Sequence, residues 1–315
     1  IPPRLRRMSR EFVSGYHAAD PARISALSLA AGDEEIEGPG QNRQYRIVSG
    51  YGSLVTALRS AIGEACEIRL STIARRIVWR KGHVVIHCRS TMGGDPVEIR
   101  ARAVVLAIPA AVLKAGPEAP AGIAFDPPLR RLEDDLAQLE AGHVLKLVFA
   151  FRERFWDDLE WVRKRVRGEP RLPVHFLHFP GEAVPTWWTS APARTALLTG
   201  WAGGPGAWEL SAGGEAAAID RALAILARGL RMPRRQLEGL LDRVHHHDWS
   251  ADPFSLGAYT YVGVGGLPAQ KRLSRPIEGT IFVAGEAASV EETGTVSGAI
   301  AAGKRAARAA MASTK

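Results

Sequence analysis

Apolar positions Phe12, Tyr16, Ile24, Leu27 and Leu29 recur at helical spacing over residues 9–31, with Asp20-Pro21 interrupting the run. A Gly/Pro/acidic stretch, 32–41, closes this unit. Residues 45–48 predict a short strand, Gly50-Tyr51-Gly52 a turn, and Leu54, Leu58 and Ile62 one face of a helix. Alternation over 68–77 and 83–87, about the turn at Lys81-Gly82, predicts a hairpin. A second turn at Gly93-Gly94-Asp95 leads into a strand that becomes the apolar run 103–108 and stops at Pro109. From 120 to 270 the texture changes, with helical patterns over 129–139 and 215–230 and strand patterns over 144–151, 175–179 and 195–201. Trp156, Trp161, Trp187, Trp188, Trp201, Trp208 and Trp249 all fall there. The apolar run 281–284 predicts a buried strand. A C-terminal helix follows, with Gly298, Ala299, Ala302, Gly303, Ala306 and Ala307 spaced for close packing.

Composition adds limits. At 315 residues, 46% hydrophobic and 23% charged, the chain has the balance of a globular protein of two domains. No stretch approaches the roughly 18–20 unbroken apolar residues of a membrane span, so no membrane association is expected. The N-terminus has arginines but no apolar signal region, and the missing initiator Met suggests a fragment or processed chain. Two cysteines cannot build a disulfide framework; Cys88 reads as a small core residue, and a cytoplasmic setting follows by default. The net charge of +8 gathers at Arg4–Arg10 and Arg152–Arg171. It reads as a solvated basic face or a contact for an acidic partner, and the absence of a recognition module argues against nucleic acid. His245-His246-His247-Asp248 invites a metal reading, but neighbours on a strand point to opposite faces, so no metal site is expected.

Three segments carry chemistry. Ile-Phe-Val-Ala-Gly-Glu over 281–286 puts Gly285 and Glu286 at the C-terminal tip of a strand, where α/β folds bind ligands, and Gly294–Ile300 opens a helix with free N–H groups. Lys146 interrupts the apolar strand 144–149, with Phe155-Trp156 beyond it; a cation there is costly unless it is paired or faces a wet cavity. Trp249-Ser250-Ala251-Asp252-Pro253 runs on to Gly257-Ala258-Tyr259-Thr260-Tyr261. Together these segments resemble the FAD-dependent amine oxidase family, which includes monoamine oxidases, polyamine oxidases and flavin histone demethylases, and the resemblance covers nearly the whole chain.

The resemblance implies an α/β fold: an FAD-binding Rossmann-like domain, incomplete because its first βαβ unit is absent, with an inserted α+β substrate domain. Residues 1–42 are then a helical part of the substrate domain, 43–118 the middle of the FAD domain, 119–270 the substrate domain and 271–315 the C-terminal part of the FAD domain. It implies a lysine, Lys146, that holds a water against the flavin, and an aromatic wall, Tyr259, against an amine substrate. Cofactor contacts are implied at Trp249, Gly285, Glu286, Thr295 and Val296, and more weakly at Arg46, Gly50, Gly52 and Ile73. The activity implied is amine oxidation, with O2 as the final acceptor and hydrogen peroxide as a product.

The departures are specific. No glycine cluster forms Gly-x-Gly-x-x-Gly, so the segment that cradles the ADP half of FAD is missing, through truncation or because a second chain supplies it, and pairing with that chain or with another copy in a homo-oligomer is expected to cover the edge left behind. Such a loss also predicts an exposed sheet edge and poor solubility alone. Ala258 stands where monoamine oxidases carry a flavin-bonding cysteine, so FAD is expected to be non-covalent. Thr295 stands in place of their second cage tyrosine. A flavin desaturase or protoporphyrinogen oxidase, or a cofactor-free scaffold subunit, are the other readings, with a yellow colour separating the last from the rest.

Overall fold

The computed structural model describes residues 1–33, 46–158, 160, 163–164 and 174–314. The architecture is mixed α/β. The predicted hairpin forms as β1 (Thr72–Arg80) and β2 (His83–Ser90), starting at Thr72 rather than at Ile68. β3 (Val97–Ala101) adds antiparallel to β2, and β5 (Ala124–Asp126) adds parallel to β1, giving a four-stranded sheet ordered β3-β2-β1-β5.

The run 103–108 does not continue β3. The chain breaks at Arg102 and opens a separate strand, β4 (Val104–Leu106), which pairs in parallel with β13 (Ile281–Val283). The two stretches have different jobs. Glu98 and Arg100 are exposed in β3, whereas Ile281, Phe282 and Val283 are all buried, the signature of a parallel strand covered on both faces.

A second sheet is wholly antiparallel, in the order β11-β7-β10-β9-β8. It comprises β7 (Val144–Phe151), β8 (Phe176–His178), β9 (Thr186–Thr189), β10 (Leu197–Gly203) and β11 (Leu241–His245). β9, four residues between Pro185 and Pro192, is too short to show a period and has no counterpart in the sequence pattern. Leu145, Leu147, Phe149 and Phe151 of β7 are buried, while Lys146 between them is exposed. The buried face packs beneath α6 (Pro205–Ala212), α7 (Glu215–Gly229) and α8 (Arg234–Leu240), with Leu223, Ile225, Leu226 and Leu237 among the core residues. Trp187 of β9 is fully buried in this core and contributes about 3 kcal/mol by removal from water.

A second core joins residues distant in sequence: Ile77, Leu106, Leu132, Leu136, Leu139, Leu273, Ile281, Val283 and Ala302. It is covered by α4 (Ala110–Lys114), α5 (Arg130–Leu136), α9 (Leu267–Leu273) and α10 (Val296–Ser313). A two-stranded ladder of β6 (Leu139–Ala141) and β12 (Thr260–Val262) runs directly into β7.

The first helix, α1, spans Pro3–Tyr16, earlier than its periodic residues suggest, because Pro3 at its first turn is preorganised for a helix start. α2 is Ala26–Asp33. Part of the expected linker and of the expected strand over 45–48 lies outside the described residues; Arg46, Ile47 and Val48 form an irregular segment and a turn, not a strand. α3 (Tyr51–Ile62) follows, with Val55, Leu58 and Ile62 exposed. Among the described residues no helix is long and apolar enough to cross a membrane.

Candidate cofactor and substrate site

Several of the elements that bear candidate residues meet at one cavity of 470 Å³. The ends of β4 and β13 supply small residues, Ala107, Ala284, Gly285 and Ala287, and α10 adds Ala299. Lys146 enters from β7, Trp201 from β10, and Trp249, Ala258 and Tyr259 from the segment before β12. The structure thus brings together Lys146, Tyr259, Trp249, Gly285 and Glu286.

Lys146 reaches the cavity by strand parity: the residues on either side of it point into the core. Its side chain makes no ion pair or hydrogen bond among the described residues. Directly opposite it in the β7–β10 register stands Trp201, a cavity residue that the sequence pattern does not single out. The Trp201 indole N–H donates to the Gly15 carbonyl at 2.7 Å. The Tyr259 hydroxyl donates to the next carbonyl, that of Tyr16. Both aromatic walls are therefore anchored to the last turn of α1, 186 residues away in sequence for Trp201 and 243 for Tyr259. Burial holds the Tyr259 phenol protonated, above its ordinary range, with the nearby Tyr16 adding to the effect.

Trp249 packs edge-on against His247 at 4.3 Å. Its loop is closed by the Gly257 N–H donating to the Trp249 carbonyl at 2.9 Å and the Ala258 N–H to the Gly142 carbonyl at 2.8 Å. His143 braces the same loop: its Nδ1 lies 3.3 Å from the Ser250 hydroxyl and its ring 4.7 Å from that of Trp208. Burial pushes the His143 imidazole below its ordinary range, against the pull of Asp248.

Glu286 begins a short 3₁₀ turn after Gly285, whose φ of 101° lies in the left-handed region that glycine tolerates. One carboxylate oxygen accepts from the Thr260 hydroxyl at 2.6 Å and the Thr260 N–H at 3.2 Å; the other accepts from the Gly294 N–H at 2.9 Å. Burial pushes its pKa up, and these three donors hold it down only in part. The folded state then binds this proton more tightly than the unfolded state. Its contribution to stability is largest below the ordinary carboxylate range and is lost as pH rises through the raised value. Glu286→Gln is expected to flatten that dependence. It should also cost about 1–2 kcal/mol, because one end of the amide must face an N–H donor. Urea midpoints measured across pH for both proteins check the two effects.

Thr295 and Val296 lie beside the cavity rather than on its wall. The Thr295 hydroxyl donates to the Glu292 carbonyl at 2.8 Å and caps α10 by accepting from the Gly298 N–H at 3.0 Å. Val296 is the first residue of α10, where helix geometry leaves its N–H without an intrahelical acceptor. Four further candidates are not brought to the cavity. The Arg46 guanidinium donates to the carbonyls of Ala191 at 2.8 Å and Thr189 at 3.1 Å. Gly50 caps α3, Gly52 lies in its first turn, and Ile73 pairs with Arg89 in the hairpin.

His247 of the histidine run pairs with Asp252 at 3.0 Å. Among the described residues no group of three or more His, Cys, Asp or Glu is placed to hold a metal ion. The small-residue wall, with one amine and one half-buried carboxylate at its edges, fits a planar apolar ring with polar margins.

The family model for flavin containing amine oxidoreductase matches residues 2–311. Polyamine oxidase 3 of Oryza sativa subsp. japonica is 28% identical over 303 residues, covering 94% of this chain and 54% of the relative. Lysine-specific histone demethylase 1 homolog 3 of Arabidopsis thaliana is 30% identical over 212 residues, 64% of this chain and 12% of the relative. Among solved structures, cyclohexylamine oxidase from Brevibacterium oxydans superposes with a TM-score of 0.75 at 22% identity, over 100% of this chain and 66% of that one. A redesigned putrescine oxidase gives 0.76 at 20% identity, over 99% and 65%. The chain spans about half the length of the polyamine oxidases it matches.

Proposed function

The chain belongs to the flavin containing amine oxidoreductase family, and from that premise we propose that its cavity is the flavin and substrate site of an amine oxidase. The observation that carries this reading is the convergence of Lys146, of Trp249 and Tyr259, and of Glu286, from three separate stretches, on one cavity. When bound there, a flavin would take hydride from the carbon beside the substrate nitrogen and pass it on to O2, giving hydrogen peroxide. This chain's residues supply the setting. Gly285, Ala107 and Ala299 leave a smooth wall against which a ring can lie. Glu286 retains acceptor capacity beyond its three donors for the hydroxyls of the cofactor's sugar-like chain. Tyr259, Trp201 and Trp249 exclude water and offer aromatic faces to an amine. Lys146 holds a water by its Nζ donors. With Ala258 in the substrate wall, attachment is non-covalent.

Gly50, Gly52 and Ile73 are assigned to the nucleotide end of FAD, a role that rests on the family resemblance and on the exposure of the α3 start; Arg46 supports the neighbouring strand ends. Pairing of β4 with β13 supports grouping 43–118 with 271–315 in the cofactor-binding part, and the second core extends that part to residues 129–139. The second sheet forms the substrate side. The exposed α3 face, Val55, Leu58 and Ile62, supports contact with a further stretch of polypeptide. The substrate is a primary or secondary amine.

Titration of the purified protein with FAD, followed by amine-dependent peroxide formation with a monoamine, a diamine and a polyamine, tests the proposal. Flavin absorption that stays with the protein through gel filtration, and peroxide with at least one amine, is the expected result. A protein that retains no flavin would overturn it.

A further inference from the structure

The loop between β13 and α10 is fastened by side chains rather than by a strand ladder. Gln270, on α9 and only 1% exposed, directs its amide N–H groups at three oxygens of that loop. They are the Thr293 hydroxyl at 2.7 Å, the Ser289 carbonyl at 3.1 Å and the Ala287 carbonyl at 3.3 Å. The Thr293 hydroxyl donates onward to the Ser289 carbonyl at 2.6 Å. From the other side Arg305 of α10 donates to the Ala288 carbonyl at 2.8 Å. Three successive carbonyls, 287 to 289, are thus held by two helices. The residue after Thr293 is Gly294, whose N–H is one of the three donors to Glu286.

The amide comes with a cost. Its oxygen, Oε1, is buried and finds no donor, an arrangement that disfavours folding. A methionine of similar length would avoid that penalty but could not donate to the loop. A polar side chain kept in a core at a loss to stability marks a place where geometry is being specified.

We propose that Gln270 is a positioning residue for the cofactor loop: it fixes residues 287–293 so that Gly294 meets Glu286, and thereby sets FAD affinity. The inference rests on the flavin reading above. It concerns a residue that the sequence pattern does not mark and that does not line the cavity.

The test compares FAD affinity, by fluorescence titration of the apoprotein, with thermal stability for three forms of the protein. Gln270→Met is expected to weaken FAD binding about tenfold through loss of the amide that donates to the loop. Leu226→Ala, in the core beneath the second sheet, is expected to lower the melting temperature and leave FAD affinity unchanged, which separates positioning from general stability. Should Gln270→Met fail to fold, Gln270→Glu carries the test. A protonated carboxyl still donates one hydrogen and an ionised one donates none, so its FAD affinity should fall with rising pH more steeply than that of the unsubstituted protein. Binding by Gln270→Met within about twofold of the unsubstituted protein overturns the role of Gln270 alone. Failure of the unsubstituted protein to bind FAD overturns the flavin reading and this inference with it.

Discussion

Lys146→Met is expected to lower amine turnover by about a hundredfold or more, the scale on which a positioned proton-transfer or water-holding group contributes, and to leave FAD bound. The reason is the parity of β7. Leu145 and Leu147 face the core, so replacing the side chain between them by one of similar length leaves core packing intact. The melting temperature should stay within a few degrees, since an exposed, unpaired side chain contributes little to stability. Stopped-flow measurement of anaerobic reduction by amine, and separately of reoxidation by O2, shows which half of the cycle needs the Nζ donors. Unchanged rates in both halves would remove Lys146 from the chemistry.

Gly298→Ala should unfasten the site. Gly298 is buried in the first turn of α10, and an added Cβ would stand 2.2 Å from the Glu292 carbonyl oxygen and 3.0 Å from its carbonyl carbon. Both are backbone atoms in the loop that presents Gly294 to Glu286, so no side-chain rotation relieves the clash. The helix start or the loop must move, at about 3 kcal/mol, the upper end of the range for overpacking. Thr295 would then lose its capping geometry toward the 298 N–H. Loss of FAD binding together with a lowered melting temperature is expected. Gly303, on the same helix with open space around its Cβ position, is the control, and alanine there should stabilise slightly by helix propensity. A Gly298→Ala protein as stable as its parent would contradict the packing described above.

Much of the site could be read from short-range pattern. A single cation in an apolar alternation places Lys146, an apolar run ending in Gly-Glu places Glu286, and the spacing from Trp249 to Tyr259 spans one closed loop. What could not be read are contacts between distant stretches. Trp201 faces Lys146 only because of the register between β7 and β10, and register is not contained in either strand's own alternation. The anchoring of two cavity aromatics by carbonyls of α1 is likewise invisible, since it uses backbone atoms common to every residue. Gln270 gives no signal because, next to Lys271 and Arg272 in a seven-residue helix, it reads as surface. The break between β3 and β4 is hidden for a different reason. Both stretches favour strand locally, and only the pairing with β13 decides that they belong to different sheets. Arg46, expected at a cofactor turn, instead satisfies two carbonyls at the end of β9, where a guanidinium's several donors are as useful as beside an anion.

The eight residues of β7 present the cavity's cation on one side and the seam of a hydrophobic core on the other. Their alternation has a period of two, so a slip of one residue would drive Lys146 inward and turn Leu145 and Leu147 out to water. A misregistered site is thus also a misfolded domain, and folding itself proofreads the placement of Lys146. The same coupling limits what evolution or an engineer can do here. The cation can be exchanged by substitution, but it cannot be moved along the strand by insertion or deletion without dismantling the core that holds it.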